Sequence, residues 1–175
     1  GIMLKDQIGY LKINRFAATT YEEMMEKVNF LQQAGMQKLI LDLRGNPGGY
    51  LHIANQMCDE FLKDGELIVF TEGRNRPKEE TFATRNGQLE NIKVIVLIDE
   101  GSASASEIVS GAIQDNDRGK IIGRRSFGKG LVQEQIPLQD GSVIRLTTQR
   151  YYTPSGRCIQ KDYGKNDKDY YLEQY

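Results

Sequence analysis

Three serines in a short run of small residues are the first candidates for chemistry. The run is GSASASE, residues 101–107, and it contains Ser102, Ser104 and Ser106. An apolar stretch at 94–98 predicts a strand before it, and apolar residues at helical spacing follow it. A serine at such a junction lies at the carboxyl end of a strand, among the free amides of a helix N-terminus. The pattern predicts a nucleophilic serine.

A lysine between two glycines is the second candidate, Lys129 in the segment SFGKG. A helix from Ser104 to about Asn116 rises roughly 18 Å, at 1.5 Å per residue. A strand predicted over 120–125 returns about 20 Å. Because the two lengths nearly cancel, we expect Lys129 to lie near Ser104. A serine paired with a lysine base is a known variant of nucleophilic catalysis.

The lysine can act as a base only in its neutral form, which burial favours. The prediction therefore includes a buried Lys129 side chain. The one histidine, His52, is the alternative base. An exposed position early in a helix is the favoured interpretation of His52, so the base role falls to the lysine. The apolar residues expected around Lys129 are Phe127, Val132 and Ile122.

A glycine pair, Gly48 and Gly49, ends the segment RGNPGG, which directly follows the apolar run 38–43. That run is typical of a strand buried on both faces in a parallel sheet. Paired glycines let backbone amides face a cavity, and the helix predicted over 50–63 begins there. Amides at a helix N-terminus stabilise a developing negative charge. The alternative is an ordinary strand-to-helix turn.

Strands and helices alternate along the chain, which predicts an α/β fold with a largely parallel sheet, flanked by helices and carrying small β-hairpins. Catalytic loops form at the carboxyl ends of such strands. The further elements predicted are a strand over 7–13, a helix from Thr19 or Thr20 to Gly35, a strand over 67–72, a hairpin of 80–85 with 88–89 turning at Asn86–Gly87, and a hairpin of 131–137 with 142–152.

The composition narrows the function classes. The chain has 175 residues, enough for one domain, and 39% of them are hydrophobic. The net charge is −1 with no basic block, so nothing indicates binding to nucleic acid. Two cysteines and one histidine do not make a typical zinc site, and we predict neither a metal nor another cofactor. No apolar run reaches the length of a membrane span.

Four motifs occur in the order and spacing of one family: DLRGNPGG, DEGSASASEI, SFGKGLVQ and YYTPSGR. Over residues 7–160 the chain resembles the catalytic core of the carboxyl-terminal processing proteases, also called tail-specific proteases, of peptidase family S41. The resemblance implies a ClpP/crotonase-like α/β core. We expect this core to occupy residues 1–160 and a polar tail to occupy 161–175.

The resemblance also implies roles for individual residues. Ser104 would be the nucleophile, Lys129 the general base, and Gln133 the residue that orients the lysine. The implied oxyanion donors are the amides of Ala105 and of either Gly48 or Gly49. The motifs leave the choice between the two glycines open.

Family members usually carry a PDZ domain ahead of this core or inserted near its start. We expect these 175 residues to lack it, and to act with the PDZ domain of the full-length chain. The expected substrates are proteins or peptides with unstructured C-termini, in the bacterial periplasm or cell envelope. Alternatives are a non-catalytic peptide- or ligand-binding module on the same fold and a crotonase-type acyl-CoA enzyme. The presence of both Ser104 and Lys129 favours the peptidase.

Overall fold

A computed structural model of the protein describes residues 1–84 and 87–162. Most of the predicted tail, 163–175, lies outside the described residues. The helices are α1 (Thr20–Gln33), α2 (Leu51–Phe61) and α3 (Ala105–Asp115). The strands are β1 (Ile2–Met3), β2 (Ile8–Lys12), β3 (Lys38–Asp42), β4 (Leu67–Gly73), β5 (Arg76–Phe82), β6 (Lys93–Ile98), β7 (Gly119–Gly123), β8 (Leu131–Pro137) and β9 (Val143–Tyr152).

The first sheet has five strands in the order β1-β2-β3-β6-β7. β2, β3, β6 and β7 are parallel, and β1 runs antiparallel at the edge. Each parallel step passes through a helix or a longer excursion, as expected for βαβ connections. The predicted α/β fold with a largely parallel sheet is therefore confirmed. The carboxyl ends of β3 and β6 are neighbours, which brings the glycine turn and the serine turn together.

One face of this sheet is more completely buried than the other. Leu39 and Leu41 of β3 are buried, as is Val96 of β6, whereas Ile40 and Ile95 between them are only half-buried. The prediction that the 38–43 strand is buried on both faces is wrong for this reason. Among the described residues, no helix is long and apolar enough to span a membrane.

The second sheet is antiparallel, in the order β5-β4-β9-β8. It contains the predicted hairpin of β8 and β9, which is confirmed, although β9 begins one residue late. The other predicted hairpin is wrong: β4 pairs with β5 across a turn at 74–75, and Arg85 and Asn86 lie outside the described residues. Gly87 does not form a hairpin turn. It packs against Glu60, where an added Cβ would lie 2.3 Å from the carbonyl oxygen.

Candidate active site

The serine turn joins β6 to α3, and Ser104 is the residue directly before the helix. Its backbone has φ 55° and ψ −113°, a conformation that non-glycine residues rarely adopt. The Glu107 carboxylate, at the third helical position, accepts the Ser104 N–H at 2.8 Å. That bond is one half of a capping box, which fixes the start of the helix and the angle at which the chain enters it. Strain of this kind clusters at functional turns.

The three serines of the run differ sharply in exposure. Ser102 and Ser106 are fully buried. The hydroxyl of Ser102 donates to the Leu43 carbonyl at 2.8 Å, and that of Ser106 donates to the Asn46 carbonyl at 3.0 Å. Ser104 is partly exposed. Both neighbours therefore tie the serine turn to the segment after β3, and Ser104 is the serine of the three that a substrate can reach.

The glycine turn lies directly against Ser104. A Cβ atom built on Gly48 would lie 2.8 Å from the Ser104 Cβ and 2.9 Å from the Ala105 nitrogen. Gly48 also has φ +93°, which favours glycine. The buried Asn46 side chain holds the turn, since its Nδ2 donates to the Ile13 carbonyl at 2.8 Å and its Oδ1 accepts the Gly48 N–H at 2.9 Å. The sequence-predicted glycine and serine turns are thus brought together.

Two backbone amides, one in the serine turn and one in the glycine turn, are open. In residues 1–84 and 87–162, the N–H groups of Ala105 and Gly49 donate to no acceptor, whereas the Gly48 N–H is taken by Asn46. Open amides at the start of a helix bind a negatively charged oxygen. Free donors therefore occur at Ala105, directly after Ser104, and at Gly49, directly after Gly48.

The lysine loop, 124–130, reaches the serine turn through its backbone. The N–H groups of Gly128 and Lys129 donate to the Glu107 carboxylate at 2.6 and 2.8 Å. The Lys129 side chain is exposed. The prediction that Lys129 is buried among Phe127, Val132 and Ile122 is therefore wrong, because the loop packs its backbone inward rather than this side chain. Ile122 is itself half exposed.

The catalytic contacts expected of Lys129 are not formed in this structure. Within the described part of the chain, no hydrogen bond joins Lys129 Nζ to Ser104 Oγ, and none joins Lys129 to the exposed Gln133. The backbones are nevertheless close. The Ser104 and Lys129 nitrogens each lie 2.8 Å from the same Glu107 oxygen, so they are no more than twice that distance apart.

Glu107 is the residue that sequence reasoning missed. Its side chain is buried, and both of its oxygens accept hydrogen bonds. Burial raises the pKa of the Glu107 carboxyl, and the hydrogen bonds from Ser126 and from three backbone amides act in the opposite direction. The Ser-x-x-Glu spacing of 104–107 signals a helix start. Nothing in that spacing indicates the contact with a loop some twenty residues further on.

A second buried carboxylate, Asp42, fixes the chain where β3 ends. It accepts the Arg44 guanidinium at 2.9 and 2.7 Å and the Tyr10 hydroxyl at 2.6 Å. The Arg44 hydrogen bonds hold the pKa of Asp42 well below its ordinary value, although burial opposes them. This pair sets the first residues of the glycine turn.

The alternative base of the sequence analysis is the histidine at the start of α2. His52 is exposed in the first turn of α2, and its ring centroid lies 5.3 Å from that of Tyr50. Among the described residues, no group of three or more His, Cys, Asp and Glu side chains could hold a metal ion.

A strained serine before a helix, with open amides beside it at the carboxyl edge of a parallel sheet, is an arrangement typical of α/β hydrolytic enzymes. The sequence pattern of peptidase family S41 matches residues 7–169. The chain belongs to peptidase family S41.

Relatives and solved structures agree with this assignment. The chain is 46% identical over 162 residues to a carboxy-terminal-processing protease of Bartonella bacilliformis, and 37% identical over 156 residues to a carboxyl-terminal-processing protease of Picosynechococcus. These alignments cover 90% and 89% of this chain but 37% of each relative. The chain therefore spans just over a third of the length of these relatives.

Among solved structures, the photosystem II D1 C-terminal processing protease superposes with a TM-score of 0.82 at 33% identity, over 87% of this chain and 39% of that one. A putative S41 protease from Bacteroides fragilis has the same fold, with a TM-score of 0.70 at 21% identity, over 86% of this chain and 43% of that one. The family match favours a peptidase over the acyl-CoA enzyme alternative.

Proposed function

We propose that this chain is the catalytic core of a serine endopeptidase that cleaves proteins near their C-termini with a Ser104–Lys129 pair. One observation carries the proposal: Ser104 and Lys129 bind the same carboxylate oxygen of Glu107 through their backbone nitrogens. The backbones of the two residues are thereby close together, which supports the pairing. The exposed Lys129 side chain completes the pair by turning toward Ser104 when substrate binds, since catalytic hydrogen bonds are often loose without substrate.

In the first half of the proposed reaction, neutral Lys129 Nζ takes the Ser104 hydroxyl proton as Oγ attacks the substrate carbonyl carbon. The oxyanion that forms accepts hydrogen bonds from the Ala105 and Gly49 amides. Gly49 is favoured over Gly48 because the Gly48 N–H is already bound by Asn46. The carbon–nitrogen bond then breaks, Lys129 returns its proton to the leaving amine, and an acyl-enzyme ester remains.

In the second half, Lys129 takes a proton from water as the water oxygen attacks the ester carbon. Breaking the ester bond returns this proton to Ser104 Oγ and releases the new C-terminal carboxylic acid, which gives its remaining proton to solvent. The names of the relatives support protein C-termini as the substrate class. Gln133 orients the lysine by a hydrogen bond once the Lys129 side chain has turned inward. The PDZ domain of a full-length chain would present the substrate.

The test is covalent labelling by a fluorophosphonate probe, which reacts with activated serines and needs no substrate-binding domain. We expect wild type to label at Ser104, and Ser104→Ala to lose the label. Ser102→Ala and Ser106→Ala should keep the label if they fold. Labelling that survives in Ser104→Ala, or is lost only in Ser102→Ala or Ser106→Ala, would refute the choice of nucleophile.

One observation favours the alternative of a non-catalytic peptide-binding module: the Lys129 side chain makes no hydrogen bond to Ser104 among the described residues. That alternative predicts a wild-type protein that binds peptides but is never labelled. Labelling of wild type would exclude it.

A further inference from the structure

The Glu107 carboxylate is bound by more donors than a helix cap requires. Glu107 is only 5% exposed. One oxygen, Oε2, accepts the N–H groups of Ser104 and Lys129, both at 2.8 Å. The other, Oε1, accepts the Ser126 hydroxyl at 2.7 Å and the Gly128 N–H at 2.6 Å. Four donors therefore share one carboxylate.

Helix capping accounts for one of these four bonds. The bond to the Ser104 amide is local, three residues away, and belongs to the capping box. The other three come from the lysine loop, 19 to 22 residues further along the chain. They contribute nothing to the start of α3, so the carboxylate has a second role that capping does not explain.

The chemical type of the side chain fits that second role. Only an ionised carboxylate offers two oxygens that both accept without presenting a donor. Within the described residues no lysine or arginine forms an ion pair with Glu107. Its charge is balanced by backbone dipoles and one hydroxyl, all of which belong to the serine turn or the lysine loop. A buried charge satisfied in this way fixes the relative position of the groups that bind it.

We propose that Glu107 is a positioning residue, which locks the lysine loop to the serine turn so that Lys129 is held within reach of Ser104. This inference rests on the proposed function, because it assigns a role in that reaction. Among the described residues, the Glu107 carboxylate forms no hydrogen bond to Ser104 Oγ or Lys129 Nζ. It acts through the backbones of Ser104 and Lys129, whose side chains carry out the chemistry.

The main variant is Glu107→Gln, which keeps the size of the side chain. Its amide NH₂ replaces one of the two accepting oxygens and faces at least one backbone N–H. At least one hydrogen bond to the serine turn or the lysine loop is therefore lost. The matched control is Glu60→Gln. Glu60 is equally buried and accepts the Tyr21 hydroxyl at 2.6 Å and the Gln88 N–H at 2.9 Å.

Two measurements are made on wild type and both variants. Amide hydrogen exchange by NMR follows the N–H groups of Ser104, Gly128 and Lys129, with the Asn46-bound Gly48 amide as the internal reference. Fluorophosphonate labelling follows the reactivity of Ser104. In Glu107→Gln we expect exchange of one or more of the three amides to accelerate, and labelling to slow by at least about tenfold, because misplacement by about 1 Å can cost a hundredfold. Glu60→Gln should match wild type in both measurements.

The outcomes separate this proposal from the one it rests on. Unchanged exchange at all three amides, or faster exchange with wild-type labelling, would overturn the role of Glu107 and leave the Ser104–Lys129 pair standing. Labelling that persists in Ser104→Ala would overturn both. If Glu107→Gln lowers the melting temperature more than Glu60→Gln does, Ser126→Ala is the second test. It removes one donor, and unchanged exchange at Gly128 and Lys129 with unchanged labelling would again overturn the role.

Discussion

Gly48 lies so close to Ser104 that a methyl group on its Cα would sit 2.8 Å from the serine Cβ. Carbon atoms do not approach this closely without displacement, so Gly48→Ala must move the serine turn or the glycine turn. We expect a loss of about 2–5 kcal/mol in unfolding free energy, from left-handed backbone strain and overpacking together. Urea denaturation measures the loss, and Ser104 labelling should fall with it.

The control for this prediction is Gly45→Ala. Gly45 also has a positive φ, +69°, but an added Cβ would meet nothing within 4 Å. Gly45→Ala should therefore lower the unfolding free energy through backbone strain alone, by about 1–2 kcal/mol. If the two variants lose equal unfolding free energy, the close approach of Gly48 to Ser104 does not affect stability.

At position 104, glycine should give a more stable protein than alanine. The φ of 55° and ψ of −113° at Ser104 cost a non-glycine residue about 1–3 kcal/mol, whereas glycine adopts them freely. Glycine loses about 0.5–1 kcal/mol more than alanine in chain entropy on folding. We therefore expect Ser104→Gly to exceed Ser104→Ala by about 1 kcal/mol in unfolding free energy, measured in urea. A less stable glycine variant would show that this backbone is not strained.

The acid side of the stability curve should depend on Asp42. The pKa of Asp42 is lowered in the folded protein, so its contribution is present above its ordinary pKa of 3.8 and is lost as pH falls below that value. Asp42→Asn should lower the unfolding free energy by about 2 kcal/mol near pH 7. This difference from wild type should shrink as pH falls toward about 3. Urea denaturation at a series of pH values measures both.

Glu26→Gln is the matched control for Asp42→Asn. Glu26 pairs with Lys27 at 2.7 Å, but its side chain is 71% exposed. Exposed pairs contribute little to stability, so this variant should follow wild type at every pH. A difference between Asp42→Asn and wild type that stays constant down to about pH 3 would mean that ionisation of Asp42 does not stabilise the fold.

The sequence predicted the parallel sheet and the meeting of the two turns because both follow from local patterns. Short apolar runs such as 38–43 and 94–98 are recognisable as strands from their composition, and a parallel sheet puts their carboxyl ends at one edge. The preference for Ser104 over its neighbours came from family spacing. The structure supports it by a separate fact, the burial of Ser102 and Ser106.

What the sequence could not predict depends on contacts between distant segments. The hairpin of β4 and β5 was misplaced because Asn86–Gly87 carries the stronger turn signal, whereas Gly87 is needed for close packing on Glu60. The apolar sequence neighbours of Lys129 predict a buried side chain. Its exposure follows from how Glu107 binds the loop backbone, and no local pattern contains that information.

The identity of the base gives the last prediction. A base must lose its proton before it can accept the proton of Ser104, so the rate of Ser104 labelling should rise with pH. Lys129→Ala should slow labelling by about a hundredfold or more and flatten the profile. The controls are Lys120→Ala, which removes another exposed lysine, and His52→Ala, which removes the exposed imidazole beside Tyr50. Both should keep the wild-type slope. A profile flattened by His52→Ala, and left intact by Lys129→Ala, would assign the base to the histidine.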